Sequence, residues 1–501
     1  MKSRRGVPLA VVIALASALG LGAQNTQTSP SPALTLSTNP AIEAGVFANL
    51  FPIFDYTNRP KVTTISDADL GAYYEKPTFL SGGIYLRQGA ASLVGIMEFQ
   101  QDIWSKLAKQ SWINLPDSET GIAPDVIGLG TFYPNVGYAA YDTQTFRLSL
   151  GRRKIKEGPG TYGLGISSGN PFYDHVAASF SLPVGNSRLA YDYVAIGMQR
   201  WQNNVGPTSG DGTNEQPKYL FSHRASWNGR VLRIGLSEYN LLADVYPDFQ
   251  DMGPFIFYHN LFNNHHNVMV GVDFDLTPIK SLSIFGEGVM DDFQIGDEGG
   301  NPNAFGFMAG LEWRALPGSL DKKPKFYDSD YTYNISRIER SEGLVIRAES
   351  YLLSTYLWRR NYSVPNEAFT SRYHIMSNWS YGYHLVEPFL ATPLTPDTFL
   401  SRASASWING RIDSTLSLEY AIKGSQSGDK TYDTSTLDAS KWLGPSAPTT
   451  TEITLKLEGD YRLDARSVVS AGITLGLKPT GTEISLSAGY GRQLGNGPTE
   501  R

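Results

Sequence analysis

The sequence predicts an all-β protein: a closed antiparallel transmembrane β-barrel of roughly 18 strands, with a few short periplasmic or lumen helices. Three observations predict it. Segments of about ten residues with alternating side chains recur between tight polar turns, most clearly over residues 218–295. There the turns read Trp227-Asn228-Gly229-Arg230 and Leu276-Thr277-Pro278-Ile279-Lys280. Past the N-terminal segment, no apolar run approaches the roughly 18 residues that a spanning helix needs. The chain also holds 28 Tyr, 23 Phe, 9 Trp and 50 Gly among its 501 residues. Barrels use aromatics for the interfacial girdles and glycine where strands crowd.

The elements follow in order. Residues 1–23 read as a secretory signal, with Lys2, Arg4 and Arg5 before the apolar run from Leu9 to Leu21, and Ala23 as the last residue before cleavage. Residues 24–40 are a Ser/Thr/Pro tail with the composition of a flexible segment. The barrel is expected over 41–494, followed by a short tail at 495–501. Residues 83–101 read as its first hairpin. Residues 66–75 and 102–115 break the alternation. In the second, Ile103, Trp104, Leu107, Ala108 and Trp112 share one helical face behind Asp102, so both are expected as short helices outside the bilayer. Further strands are expected at 145–156, 174–182, 187–198, 218–227, 230–239, 267–275, 281–290, 304–314, 331–338, 343–357, 381–389, 399–408, 411–422, 451–463, 467–477 and 482–493. The longer connections, 199–217, 240–266, 358–380 and 423–450, are expected at the outer mouth.

Composition bounds the chemistry. Loss of the signal lowers the formal net charge from −6 to −9, since Lys2, Arg4 and Arg5 go with it. An acidic chain without a basic stripe is not expected to bind nucleic acid. With 0 Cys there is no thiolate or disulfide chemistry, which suits export through an oxidising compartment. No cofactor and no metal is expected.

Several motifs match catalytic spacings but lack the required setting. Gly158-Pro159-Gly160-Thr161-Tyr162-Gly163 has the spacing of a dinucleotide loop, yet GRRKIKE precedes it instead of a buried apolar strand. Gly165-Ile166-Ser167-Ser168-Gly169, with His175 nearby, has nucleophile-elbow spacing. The following NPFYDHVAASFSL alternates like a strand, whereas an elbow opens a helix. Glu287 and Asp291 project to one face of a strand and Asp292 to the other, so they read as solvated loop or lumen charges. His259, His265 and His266 lie in a loop without the ordered spacing of a zinc site. The run Arg152-Arg153-Lys154-Ile155-Lys156-Glu157 puts Arg152, Lys154 and Lys156 on one strand face. A charge facing mid-bilayer lipid costs about 2–4 kcal/mol, so the run belongs at the rim or beyond. It either binds an acidic polymer or forms a rim or lumen ion-pair network.

Together these stretches resemble the capsule-assembly Wzi family of outer-membrane proteins. The resemblance rests on GRRKIKEGPGTYGLGISSGNPFYDH at 151–175, FSHRASW and LRIGLSE within 221–238, and FIFYHN at 255–260. NVMVGVDFDLTPIKSLSIFGEGVMDDFQ at 267–294 extends it, with a weaker echo at 381–399. Glu157 stands where an aromatic often precedes Gly-Pro-Gly in that family. The resemblance implies a non-enzymatic barrel of about eighteen strands with periplasmic helices, which attaches or organises exported surface polysaccharide (capsule or exopolysaccharide) in a lectin-like manner. Loops carrying Trp201, Trp379 and Trp442 are compatible with this, because aromatics stack on sugar rings while polar neighbours give direction. The expected polysaccharide-binding residues are therefore Arg152, Lys154, Lys156, Trp201, Trp379 and Trp442. The expected setting is a monomer in the outer membrane of a diderm bacterium, with outer-membrane lipid and surface polysaccharide as partners. A porin or substrate-specific channel would share the strand pattern. A hydrolase using Ser167 is a third class. Inward elements that fill the lumen favour the anchor; an open charged constriction favours the channel.

Overall fold

A computed structural model describes residues 42–58, 80–99, 136–170, 172–198, 218–243, 246–249, 252–253, 266–292, 303–317, 332–334, 343–358, 375–379, 382–386, 390–391, 393–427 and 443–495. The expected signal, the Ser/Thr/Pro tail and both expected helices, 66–75 and 102–115, lie outside the described residues.

The strands are β1 (Ile42–Leu50), β2 (Ile53–Thr57), β3 (Leu80–Gln88), β4 (Ala91–Phe99), β5 (Val136–Asp142), β6 (Phe146–Lys156), β7 (Tyr173–Val184), β8 (Ser187–Met198), β9 (Lys218–Asn228), β10 (Leu232–Ala243) and β11 (His266–Ile279). They continue with β12 (Leu282–Asp292), β13 (Ala304–Pro317), β14 (Thr332–Asn334), β15 (Gly343–Leu353), β16 (Ile375–Trp379), β17 (Gly382–Val386), β18 (Thr398–Asn409), β19 (Ile412–Lys423), β20 (Thr450–Asp464), β21 (Ser467–Lys478) and β22 (Gly481–Gly495). Eighteen antiparallel staves close the barrel. β1 and β2 form one stave broken at Pro52, and both pair with β22 to seal the seam. β14 is not a stave: it pairs in parallel with the last three residues of β6, which have left the wall ladder. β16 and β17 make a separate hairpin.

The expected strand number therefore holds, by compensation. The segments 331–338 and 381–389 alternate but are not staves, while 42–57 and 136–142 are staves that the pattern did not reveal. Pro52 interrupts the first, because proline cannot donate to a ladder. The second, VGYAAYD, is seven residues of mostly small side chains with little apolar contrast.

One end carries most of the tight turns, such as Gly185–Asn186 and Lys280–Ser281. The other carries most of the long connections and is thus the outer mouth; the exceptions are the 318–342 connection, which joins β13 to β15 at the tight-turn end, and the Pro479–Thr480 turn at the outer one. Outward-facing Leu148, Leu150, Val176, Leu236, Val272, Phe307, Leu416, Leu457, Ile473 and Leu486 are exposed, forming the apolar band. Near the short turns it ends in a girdle of exposed Tyr141, Trp227, Trp313, Trp407 and Tyr461. Closure removes sheet edges and satisfies the backbone internally, as spanning a membrane requires. The molecule is an outer-membrane-type barrel.

Candidate functional site

The lumen-facing side chains of β6 to β19 form a buried charged wall. Arg224 on β9 donates through Nε and Nη2 to both oxygens of Asp273 on β11, at 2.9 and 2.8 Å. Its Nη1 reaches Asp192 on β8 at 3.3 Å, and Asp192 also accepts from Ser179 at 2.5 Å. Across the barrel, Arg347 on β15 pairs with Glu349 and with Glu312 on β13, at 2.6 and 3.0 Å. Such pairs are tolerated inside the wall because these carboxylates face an arginine and accept hydrogen bonds from it.

The β6–β7 connection turns inward and crosses this lumen. It leaves the fifth stave, and Arg402 on β18, nine staves away, donates to Thr161 Oγ1 at 3.1 Å. Thr161 N–H donates to Glu349 Oε1 at 2.8 Å and Leu164 N–H to Glu287 Oε1 at 3.1 Å. Arg347 donates to the Pro159 carbonyl at 2.6 Å, and Tyr162 Oη to Glu419 on β19 at 3.1 Å. The glycine run is thus a close-approach device. At Gly158, whose φ is +82°, a Cβ would lie 2.1 Å from Glu287 Oε2. Amides that in a dinucleotide loop would face a pyrophosphate here face the protein's own carboxylates.

Apolar packing fills the space around it. Leu164, Ile166 and Phe172 of the crossing segment join Tyr173 at the start of β7 and Val194, Leu220, Tyr239, Phe285, Met308, Tyr351, Trp358 and Leu390 in one buried cluster. Trp358, fully buried, donates its indole N–H to the Leu164 carbonyl at 3.1 Å and its backbone N–H to Asp291 at 2.9 Å. Ser167 N–H donates to the Leu390 carbonyl at 2.8 Å. Above, Asp397 ties two outer connections together. It accepts from Thr355 Oγ1 at 3.0 Å, Gln426 N–H at 2.8 Å, and Ser446 N–H and Oγ at 2.7 and 2.5 Å. Glu157, also fully buried, accepts from Ser222 Oγ at 2.8 Å. Burial pushes its carboxyl up to about 7, against the opposing pull of that bond.

A different surface lines β19 to β22. Inward-facing Thr454, Ser470, Gly472, Thr474, Ser485 and Ser487 are half-buried, beside the pairs Lys423–Glu452, Lys456–Glu458 and Lys478–Glu483 at 2.9, 2.9 and 2.7 Å. This side of the lumen is polar and small-residued where the other is packed.

The expected binding residues separate. Arg152 lies on the outer face at the rim, bidentate to Asp174 with both contacts at 2.6 Å and stacked 4.0 Å over Phe172. Lys154 is half-buried beside it along the strand. Lys156, past the wall ladder, turns inward and is buried within electrostatic reach of Glu349 and Glu287. The three share one face in sequence but not in space. Trp379 ends β16; Trp201 and Trp442 lie outside the described residues. Of the His cluster, only His266 falls within them, at the start of β11.

Ser167 is fully buried, and the fold does not bring it to His175. His175 Nε2 pairs with Ser149 Oγ at 2.9 Å and Nδ1 with the Tyr173 carbonyl at 3.1 Å. Glu287 and Asp291 do face the lumen, but buried as ligands of Leu164, Asn267 and Trp358 and not solvated. Sequence reasoning missed Glu349, Arg347 and Asp397. For Arg347 and Glu349 the available signal was a charged residue on the inward register of the otherwise apolar β15; Asp397, in the connection before β18, carried no such signal.

Residues and fold together define a class: an eighteen-stave outer-membrane β-barrel whose outer half is packed from within. No family model and no curated protein matches the chain. Among solved structures it is similar to Wzi, an outer-membrane protein involved in group 1 capsule assembly in Escherichia coli, described as a carbohydrate-binding β-barrel. That match has 14% identity and a TM-score of 0.48, covering 89% of this chain and 84% of that one. It is also similar to OpdK of Pseudomonas aeruginosa, at 8% identity and TM-score 0.43, covering 91% and 99%. OccK5 (OpdH) of the same organism follows at 9% and 0.42, covering 91% and 98%.

Proposed function

We propose that the chain is a non-enzymatic outer-membrane barrel that binds, anchors or organises exported surface polysaccharide. The observation that supports this best is the crossing segment 157–172, which packs the outer half of the lumen with an apolar core. A lumen packed on one side of its outer half suits a rigid platform for an extended polymer better than it suits solute passage. The resemblance of 151–294 to the Wzi family points the same way. In this reading the polymer meets the outer mouth, where the loops carrying Trp201, Trp379 and Trp442 stack on sugar rings, with Lys154 and the Arg152 rim beside them. Deletion of the protein is expected to shed surface glycan into the medium while solute uptake stays intact. Unchanged glycan retention overturns the reading.

A substrate-specific channel is the second reading, favoured by one observation: the half-buried hydroxyl and glycine wall along β20–β22. Steady single-channel current through the intact protein in planar bilayers would support it.

A further inference from the structure

On β8, β9 and β10 the strand alternation assigns Tyr193, Phe221, His223, Glu238, Asn240 and Leu242 to the outer wall. Their neighbours Asp192, Val194, Leu220, Ser222, Arg224 and Tyr239 face the lumen network and its core. Outward-facing residues elsewhere are open: Leu236 is 50% exposed, Val272 52% and Val176 40%. These six are at most 8% exposed, so protein covers this patch of wall from outside.

Part of the cover is Met252 of the β10–β11 connection. Tyr193 Oη donates to the Met252 carbonyl at 3.1 Å. The patch also needs a cover. Tyr191 Oη bonds His223 Nδ1 at 2.8 Å on this same outer face, and Glu238 and Asn240 lie beside them. Yet Tyr193 shares a cross-strand row with apolar Ala178 and Leu148, and the next row outward, Leu150–Val176–Ala195, is apolar too. The polar rim begins only at Arg152–Asp174–Gly197. Four residues along the strand is about 13 Å, or about 10 Å of depth at a typical tilt of ~40°. The patch therefore lies within the lipid-facing band.

We propose that residues 246–249 and 252–253 of this connection contact lipid as a strap, which covers the patch at Tyr193 and inserts Tyr246 and Phe249 into the outer leaflet. Tyr246 is 69% and Phe249 87% exposed, and both lie within six residues of Met252, which sits on the patch at Tyr193. Irregular backbone at that depth needs its polar groups satisfied. Pro247 has no N–H to satisfy. Met252 N–H donates to the Asp248 carbonyl at 3.1 Å, and the Met252 carbonyl takes the Tyr193 hydroxyl. Amphipathic aromatics at such a position are what membrane interfaces select.

The chain has 0 Cys, so a single label is unambiguous. Phe249→Cys carries a nitroxide in protein refolded into phosphatidylcholine–phosphatidylethanolamine vesicles. Its collisions with oxygen and with an aqueous nickel chelate are compared with Leu236→Cys in the band and Leu443→Cys at the outer mouth. Oxygen-dominated collision at Phe249, matching Leu236, is expected. Nickel-dominated collision matching Leu443 overturns the proposal, and so does protection from both probes, which would mean a protein partner. In the same labelled chain, Tyr193→Phe is expected to shift Phe249 toward nickel while leaving Leu236 unchanged. No shift overturns the strap's attachment through Tyr193.

Discussion

Arg224 is the side chain whose loss would be felt most inside the wall, because two carboxylates depend on it. Arg224→Ala leaves Asp192 and Asp273 buried without their cation, and breaking such a pair typically costs about 3–5 kcal/mol. Urea unfolding of the refolded barrel should show a loss of that size, with Arg224→Lys intermediate, since an ammonium cannot reproduce the fork. Glu157 behaves differently. Raised above its ordinary value of 4.5, its carboxyl favours the fold while protonated. That contribution is complete below pH 4.5 and is lost as pH rises through about 7. Thermal melts between about pH 6 and about pH 8, ~1 pH unit to either side of that midpoint, should therefore fall more steeply for the native chain than for Glu157→Gln. Equal slopes would remove the role given to Glu157.

At the scale of elements, the crossing segment and its latch make separable predictions. Replacing 158–170 with a short Gly/Ser linker leaves the stave ladders intact and is expected to raise the steady current in planar bilayers above that of the native chain. Asp397→Ala removes the acceptor of four hydrogen bonds and should make the 424–449 connection sensitive to protease while the barrel stays heat-resistant. The staves themselves were largely legible. Ser187–Met198 falls where alternation places it, because inward Asp192, Val194 and Ile196 contrast with outward Leu189. Segments 331–338 and 381–389 were misread because alternation reports a two-sided environment and not membership of the wall. Of the site, the rim position of Arg152 was legible from charge cost alone. The inward turn of Lys156 was not, since it depends on β6 leaving its ladder, a long-range event with no local signature. The glycine run from Gly158 stood out only for its dinucleotide-loop spacing, because what it packs against is distant in sequence: Leu164 meets Glu287 123 residues away.

The whole molecule is a closed apolar cylinder in lipid, packed on one side of its lumen and polar on the other. In the proposed reading the packed side braces the outer mouth, and a preorganised mouth would lose little entropy on holding a polymer. The central claim is that this mouth holds surface polysaccharide. Its most direct test is a binding titration of the refolded barrel with polysaccharide extracted from the surface of the encoding bacterium. Saturable binding that survives deletion of the β20–β22 lumen charges, and is lost on substituting Trp201, Trp379 and Trp442 together, is the result expected. No binding, alongside steady ion current through the intact protein, would contradict it.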